Sequence, residues 1–167
     1  MDTVYTYKTL YNFTHAVFKH MGCRDDDATT ATKTLLSADV RGIDSHGVAR
    51  LSGYVRLWEA GRINSKPGIS IKHETPSTAV VNGDAGLGLV VAPFAMQIAI
   101  DKAEKVGTGW VSVCNSNHFG IAGYHAMMAL EKDMIGIAMT NASALVAPTF
   151  SIERMLGTNP IDRKSVE

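Results

Sequence analysis

Apolar positions in the first sixty residues recur at helical spacing. Residues 3–21 set Leu10, Phe13, Val17 and Phe18 on one stripe, and Gly22 follows as a stop. Asp25–Asp27 offer an N-cap and a negatively charged first turn for a second helix running to about Val40. After Gly42, Asp44–Ser45–His46 opens a third helix whose stripe is Val48, Leu51, Val55 and Trp58, ended by Gly61. Pro67, Gly68 and Pro76 interrupt the pattern over 62–76, which suits a surface connection with a short strand at 69–72. From Thr78 the texture changes. Thr78–Asn82 reads as a strand, Leu87–Val106 as a helix and Gly109–Cys114 as a buried strand. Ala122–Lys132 then reads as a helix and Ile135–Thr140 as a further strand. This βαβαβ rhythm predicts an α/β chain, with a helical segment over 1–76 beside a helix-covered mixed sheet over 77–161.

The rhythm invites a dinucleotide fingerprint, and the details decline it. Gly86–Leu87–Gly88 supplies a G-x-G after a strand, but Val91 stands where the third glycine belongs. No acidic residue ends the next strand to hold a ribose. A plain strand-to-helix turn accounts for the glycines, so a Rossmann fold is not expected.

Composition narrows the class. Hydrophobic residues make up 46% of the 167 and charged residues 19%, enough for a core and too apolar for a disordered chain. Sixteen basic residues balance sixteen acidic ones without a basic block, which argues against nucleic acid or an anionic membrane as partner. The N-terminus lacks a basic stretch followed by an apolar one, and no run of about 18 apolar residues occurs. A soluble cytoplasmic protein is the expectation. Cys23 and Cys114 are far apart and in no ligand spacing, so buried free thiols in a reducing compartment are expected.

Three stretches could carry chemistry. In ADVRGIDSHGVARLSGY (38–54), His46 begins the expected third helix and Arg50 follows four residues later, on the same face. A helix start disfavours a protonated imidazole, leaving the neutral base that proton transfer needs. Arg50 suits a two-pronged hold on a carboxylate, and Ser45 could orient the imidazole. The same spacing also suits a capping Ser45, an exposed His46 and an Arg50 paired with a surface carboxylate. Spacing does not separate the two. SNHFGIAGY (116–124) lies between a strand and a helix, where ligands bind in α/β sheets. Asn117 and His118 add polarity there, and Gly120 and Gly123 would admit a large ligand to the backbone. A bare connecting turn explains the stretch equally well. His118 and His125, seven apart, give two metal ligands and no third. Thr140–Ser143 repeats the strand-end pattern, and Leu156–Pro160 forms a turn with an exposed Thr158.

Together ADVRGIDSHGVARLSGY, SNHFGIAGYHAMMA, IGIAMTNA and LGTNPI resemble the type-2 malate/lactate dehydrogenase family, in matching order from about residue 5 to Ile161. The resemblance implies a non-Rossmann α/β fold, NAD or NADP as cofactor, a small 2-oxo or 2-hydroxy acid as substrate and a homodimer. It also implies roles. His46 would carry the proton with Ser45 in support, and Arg50 would bind the substrate carboxylate. His118 would lie at the substrate and nicotinamide and has been cast as the proton carrier in some members. Cofactor contacts would come from His118, Phe119, Gly120, Ile121, Ala122 and Thr140, and Thr158 would touch the substrate. His46 is favoured over His118 because Arg50 and the helix start give it a physical rationale.

Family members run to about twice this length. The last six residues, Asp162–Glu167, depart from the apolar strand expected there and read as a non-native tail. Their Asp-Arg-Lys-Ser is the translation of the sequencing-adapter stretch GATCGGAAGAGC. The activity is accordingly expected of a full-length parent, with 1–167 alone inactive. Two other readings stay open: a non-catalytic nucleotide-binding remnant, and a metal-dependent hydrolase using Asp44, His46 and His118.

Overall fold

Helix α1 (Tyr7–His20) starts where the Thr6 hydroxyl accepts the Thr9 N–H at 3.2 Å. The computed structural model describes residues 4–166, so the expected helical start at residue 3 lies outside the described residues. The inward stripe is Thr14 and Phe18, continued by Met21, while Phe13 is 58% exposed. The core face is thus turned about one position from the expected stripe. Helix α2 (Asp25–Asp39) carries Asp25, Asp26 and Asp27 in its first turn, where the helix dipole favours them. Its inner face is built from Ala28, Ala31 and Leu35, and the small alanines let α1 approach closely.

The third helix does not start at Asp44. Residues Asp44–His46 and Val48–Arg50 form two separate 3-10 turns, broken at Gly47 with φ −91° and ψ −142°. Only Leu51–Glu59, α3, is α-helical. Leu51 and Tyr54 of α3 enter the main core with Phe18, Met21, Leu35, Ile63, Leu87 and Leu89.

Strands β1 (Ser70–Glu74), β2 (Thr78–Gly86) and β3 (Trp110–Ser116) form one sheet in that order. β1 and β2 run antiparallel, and β2 and β3 run parallel, joined by helix α4 (Gly88–Val106). A second cluster of Val81, Val91 and Ala95 packs α4 against the sheet. The expected burial of 109–114 does not hold: among the described residues β3 pairs only with β2, and Trp110 and Val113 are exposed. Cys114 is exposed with it, whereas Cys23 is buried as expected. That burial pushes the Cys23 thiol up to about 11.

The chain divides between Ile121 and Ala122 into two compact units. The helical segment and the three-stranded sheet make up the first. In the second, helix α5 (Ala122–Met128) precedes an antiparallel pair of β4 (Gly136–Met139) and β5 (Ile161–Lys164). A Cβ at Gly136 would collide with the Ala126 carbonyl, so α5 and β4 touch backbone to backbone. The strands of the βαβαβ rhythm therefore fall into two sheets, and the partner of β4 comes from 161–164, a stretch with no apolar alternation.

Candidate functional site

The first unit gathers Ser45, His46, Arg50, Tyr54 and His118 through two backbone devices. One is Asp39, the last residue of α2, whose Oδ2 accepts the Val48 N–H at 2.9 Å. Gly47 passes so close to that carboxylate that a Cβ would collide with it. This seats the Asp44–His46 turn. Partial burial holds the Asp39 carboxyl above its usual range, opposed by the Val48 N–H and assisted by Asp44.

The other device is Asn117. Its Nδ2 donates to the carbonyls of Ala85 at 2.8 Å and Gly86 at 3.1 Å, pinning the end of β3 to the end of β2. Gly88 of α4 lies against the Asn117 and His118 carbonyls with no room for a Cβ. Gly120 has φ +82°, and a Cβ there would stand 3.0 Å from Leu89. At Gly123 a Cβ would meet the Asp162 carboxylate at 3.2 Å. Side chains of the protein thus stand close on the Cβ side of both glycines.

Around His46 the geometry is close. Ser45 Oγ lies 2.8 Å from His46 Nδ1, and Arg50 Nε donates to the Ser45 carbonyl at 2.6 Å. No ion pair engages Arg50 among the described residues, which leaves its terminal nitrogens available for an anion. The His46 and His118 rings stack with centroids 5.9 Å apart and planes 28° apart. His118 Nδ1 lies 2.7 Å from the hydroxyl of the buried Tyr54. His118 itself keeps an exposed edge.

Both imidazoles sit below their ordinary value. For His46 the causes are burial, then the Arg50 charge; for His118 they are burial, then His46, then Arg50. The helix-dipole cause expected from sequence does not apply, because His46 is not in the first turn of an α-helix. Nor do His46 and Arg50 share a helix face; the Arg50–Ser45 hydrogen bond brings them together instead. Burial pushes the Tyr54 phenol well above its usual range, with Arg50 opposing.

Sequence reasoning missed Tyr54 and Asp39. Tyr54 follows Arg50 by four residues and occupies a core position, and an aromatic with a polar tip there was a usable signal. Asp39 carries no such signal, because its partner lies nine residues away across a loop.

In the second unit, Thr140, with Met139, Asn141, Asn159 and Ile161, lines an open pocket of about 310 Å³. Thr140 Oγ1 donates to the Asn141 carbonyl at 3.1 Å, and Thr158 lies exposed on its loop. Among the described residues no three His, Cys, Asp or Glu side chains gather to hold a metal ion. No described helix is long and apolar enough to cross a membrane.

A family model described as malate/L-lactate dehydrogenase matches residues 5–162. The chain belongs to that family. Among its relatives, the malate dehydrogenase of Pyrococcus abyssi is 53% identical over 152 residues, covering 91% of this chain and 42% of that protein. The L-sulfolactate dehydrogenase of Methanocaldococcus jannaschii is 47% identical over 145 residues, covering 87% of this chain and 42% of that one. The structure of malate dehydrogenase from Entamoeba histolytica superposes with a TM-score of 0.93 at 40% identity, over 98% of this chain and 45% of that chain. The chain thus spans less than half the length of these malate/L-lactate dehydrogenase family members, and its fold is theirs over the matched part.

Proposed function

We propose that this chain is part of an oxidoreductase that moves a hydride between NAD or NADP and a small 2-hydroxy or 2-oxo acid. The observation that carries the reading is the Ser45–His46 pair at 2.8 Å, with Arg50 anchored beside it and free of any ion pair among the described residues. A proton carrier thus adjoins a cation suited to a carboxylate, in a chain whose relatives are named malate and sulfolactate dehydrogenases.

His46, kept neutral by burial and by Arg50, takes the hydroxyl proton in oxidation and returns it in reduction. Ser45 orients its ring, and Arg50 offers its terminal nitrogens to the substrate carboxylate. The residues present suit a nicotinamide cofactor in part: the pocket beside Thr140 has an apolar wall flanked by Thr and Asn groups. When bound, the nicotinamide supplies the hydride chemistry. The family resemblance assigns His118, Phe119, Gly120, Ile121, Ala122 and Thr140 to the cofactor and Thr158 to the substrate. A cytoplasmic homodimer completes the reading, with activity in the full-length protein and not in 1–167.

A chimera tests it. Residues 5–162 replace the matched segment of the Pyrococcus abyssi malate dehydrogenase. The chimera is assayed with a panel of 2-oxo acids and each of NADH and NADPH, beside the 167-residue chain alone. Turnover by the chimera and none by the chain is the expected result. A folded chimera that turns over no 2-oxo acid with either cofactor contradicts the reading.

A further inference from the structure

We infer that Tyr54 is a positioning residue that fixes neutral His118 with its proton on Nε2, making His118 a hydrogen-bond donor and leaving His46 to exchange the proton. The substrate oxygen that His118 would face rests on the proposed function; the tautomer does not.

Two groups converge on His118 Nδ1. The Tyr54 hydroxyl lies at 2.7 Å, and the Gly120 backbone N–H donates to the same atom at 3.3 Å. A backbone N–H can only donate, so Nδ1 must present its lone pair and carries no proton. The Tyr54–His118 bond then has one direction: the phenol donates. Tyr54 is suited to this, because burial in the core with Phe18 and Leu51 keeps it protonated. A neutral imidazole has one N–H, and with Nδ1 bare that hydrogen sits on Nε2.

The consequence for proton transfer is direct. Nε2 already holds a hydrogen and cannot accept another. Protonation of His118 would have to place one on Nδ1, facing the Gly120 N–H and forcing the Tyr54 hydroxyl to reverse. The surroundings of the ring oppose it as well: burial disfavours the cation, and His46 and then Arg50 add to this. His46 is not constrained in this way. Its Nδ1 faces the Ser45 hydroxyl, which can donate or accept. When Ser45 accepts from Nδ1–H, Nε2 of His46 is a free base. The substrate hydroxyl would lose its proton to that nitrogen while His118 Nε2–H keeps its own and donates to the same oxygen.

Histidine side-chain nitrogen NMR on the isotope-labelled 167-residue chain reads the tautomer without any assay of activity, and His118→Gln assigns the signal among the six histidines. His118 is expected to show an unprotonated Nδ1 and a protonated Nε2 at neutral pH. Tyr54→Phe should lower the Nε2–H to Nδ1–H ratio about tenfold, the equivalent of one lost hydrogen bond. The His118 titration should move upward in the same variant. A wild-type His118 protonated at Nδ1 overturns the inference, and that spectrum decides it even if Tyr54→Phe does not fold. An unchanged ratio in a folded Tyr54→Phe overturns it too. An inactive chimera with an Nε2–H His118 would defeat the functional reading and leave this one standing.

Discussion

At Arg50 the shape of the cation matters as much as its charge. Nε is committed to the Ser45 carbonyl at 2.6 Å, so under the proposed function the two terminal nitrogens would present a planar pair to an incoming carboxylate. Arg50→Lys in the chimera keeps the charge and loses the pair. Hydrogen bonds to a charged group are worth about 1.5–3 kcal/mol, so KM for the 2-oxo acid should rise roughly 10- to 100-fold with little change in cofactor Kd. An unchanged KM would make Arg50 a structural residue. Arg50→Gln separates charge from shape through the pH profile. As the proposed proton acceptor, His46 would have to be neutral, so oxidation should be lost as pH falls through the His46 pKa, which burial and Arg50 hold low. Removing the guanidinium charge should move the acidic limb to higher pH, whereas Arg50→Lys should leave it in place. The sequence made His46 and Arg50 legible as a pair but gave the wrong cause, because a helix start at Asp44 was read where two 3-10 turns stand.

The elements with strong apolar periodicity were legible: α1, α2 and α4 lie close to where the spacing places them. The break at Gly47 was not, because it depends on Asp39, which returns across a loop to meet Val48. That contact is a mechanical one and can be tested as such. Gly47→Ala drives a methyl into the Asp39 carboxylate and should cost about 1–3 kcal/mol, as overpacking does. Asp39→Ala removes the acceptor of the Val48 N–H and should cost about 1 kcal/mol. With Asp39 already shortened, Gly47→Ala meets less resistance, so the double variant should be less destabilised than the two single penalties combined. Urea unfolding of the four proteins measures this, and strict additivity would show that Gly47 and Asp39 do not oppose each other. β5 was illegible for a different reason. Ile161–Lys164 has one apolar residue in four and gains its strand character only from pairing with β4.

At the scale of the whole molecule, the α/β class and the family motifs were legible, and the exposure of so much apolar surface was not. Trp110 and Val113 on β3 are exposed in the first unit; Ile137, Met139, Phe150, Ile152 and Met155 are exposed in the second. Strands that read as buried from their apolar content are covered on fewer sides here than that content implies. The chain spans 42% of its Pyrococcus abyssi relative and holds Ser45, His46 and Arg50 together within its first unit. The account therefore turns on His46, and the complete chimera is where it is tested. His46→Ala should lower turnover in both directions by roughly 10²–10⁴-fold, the range of histidine acid–base catalysis, while cofactor Kd stays within about twofold. Turnover within about threefold of the parent chimera would remove His46 as the proton carrier and contradict the account.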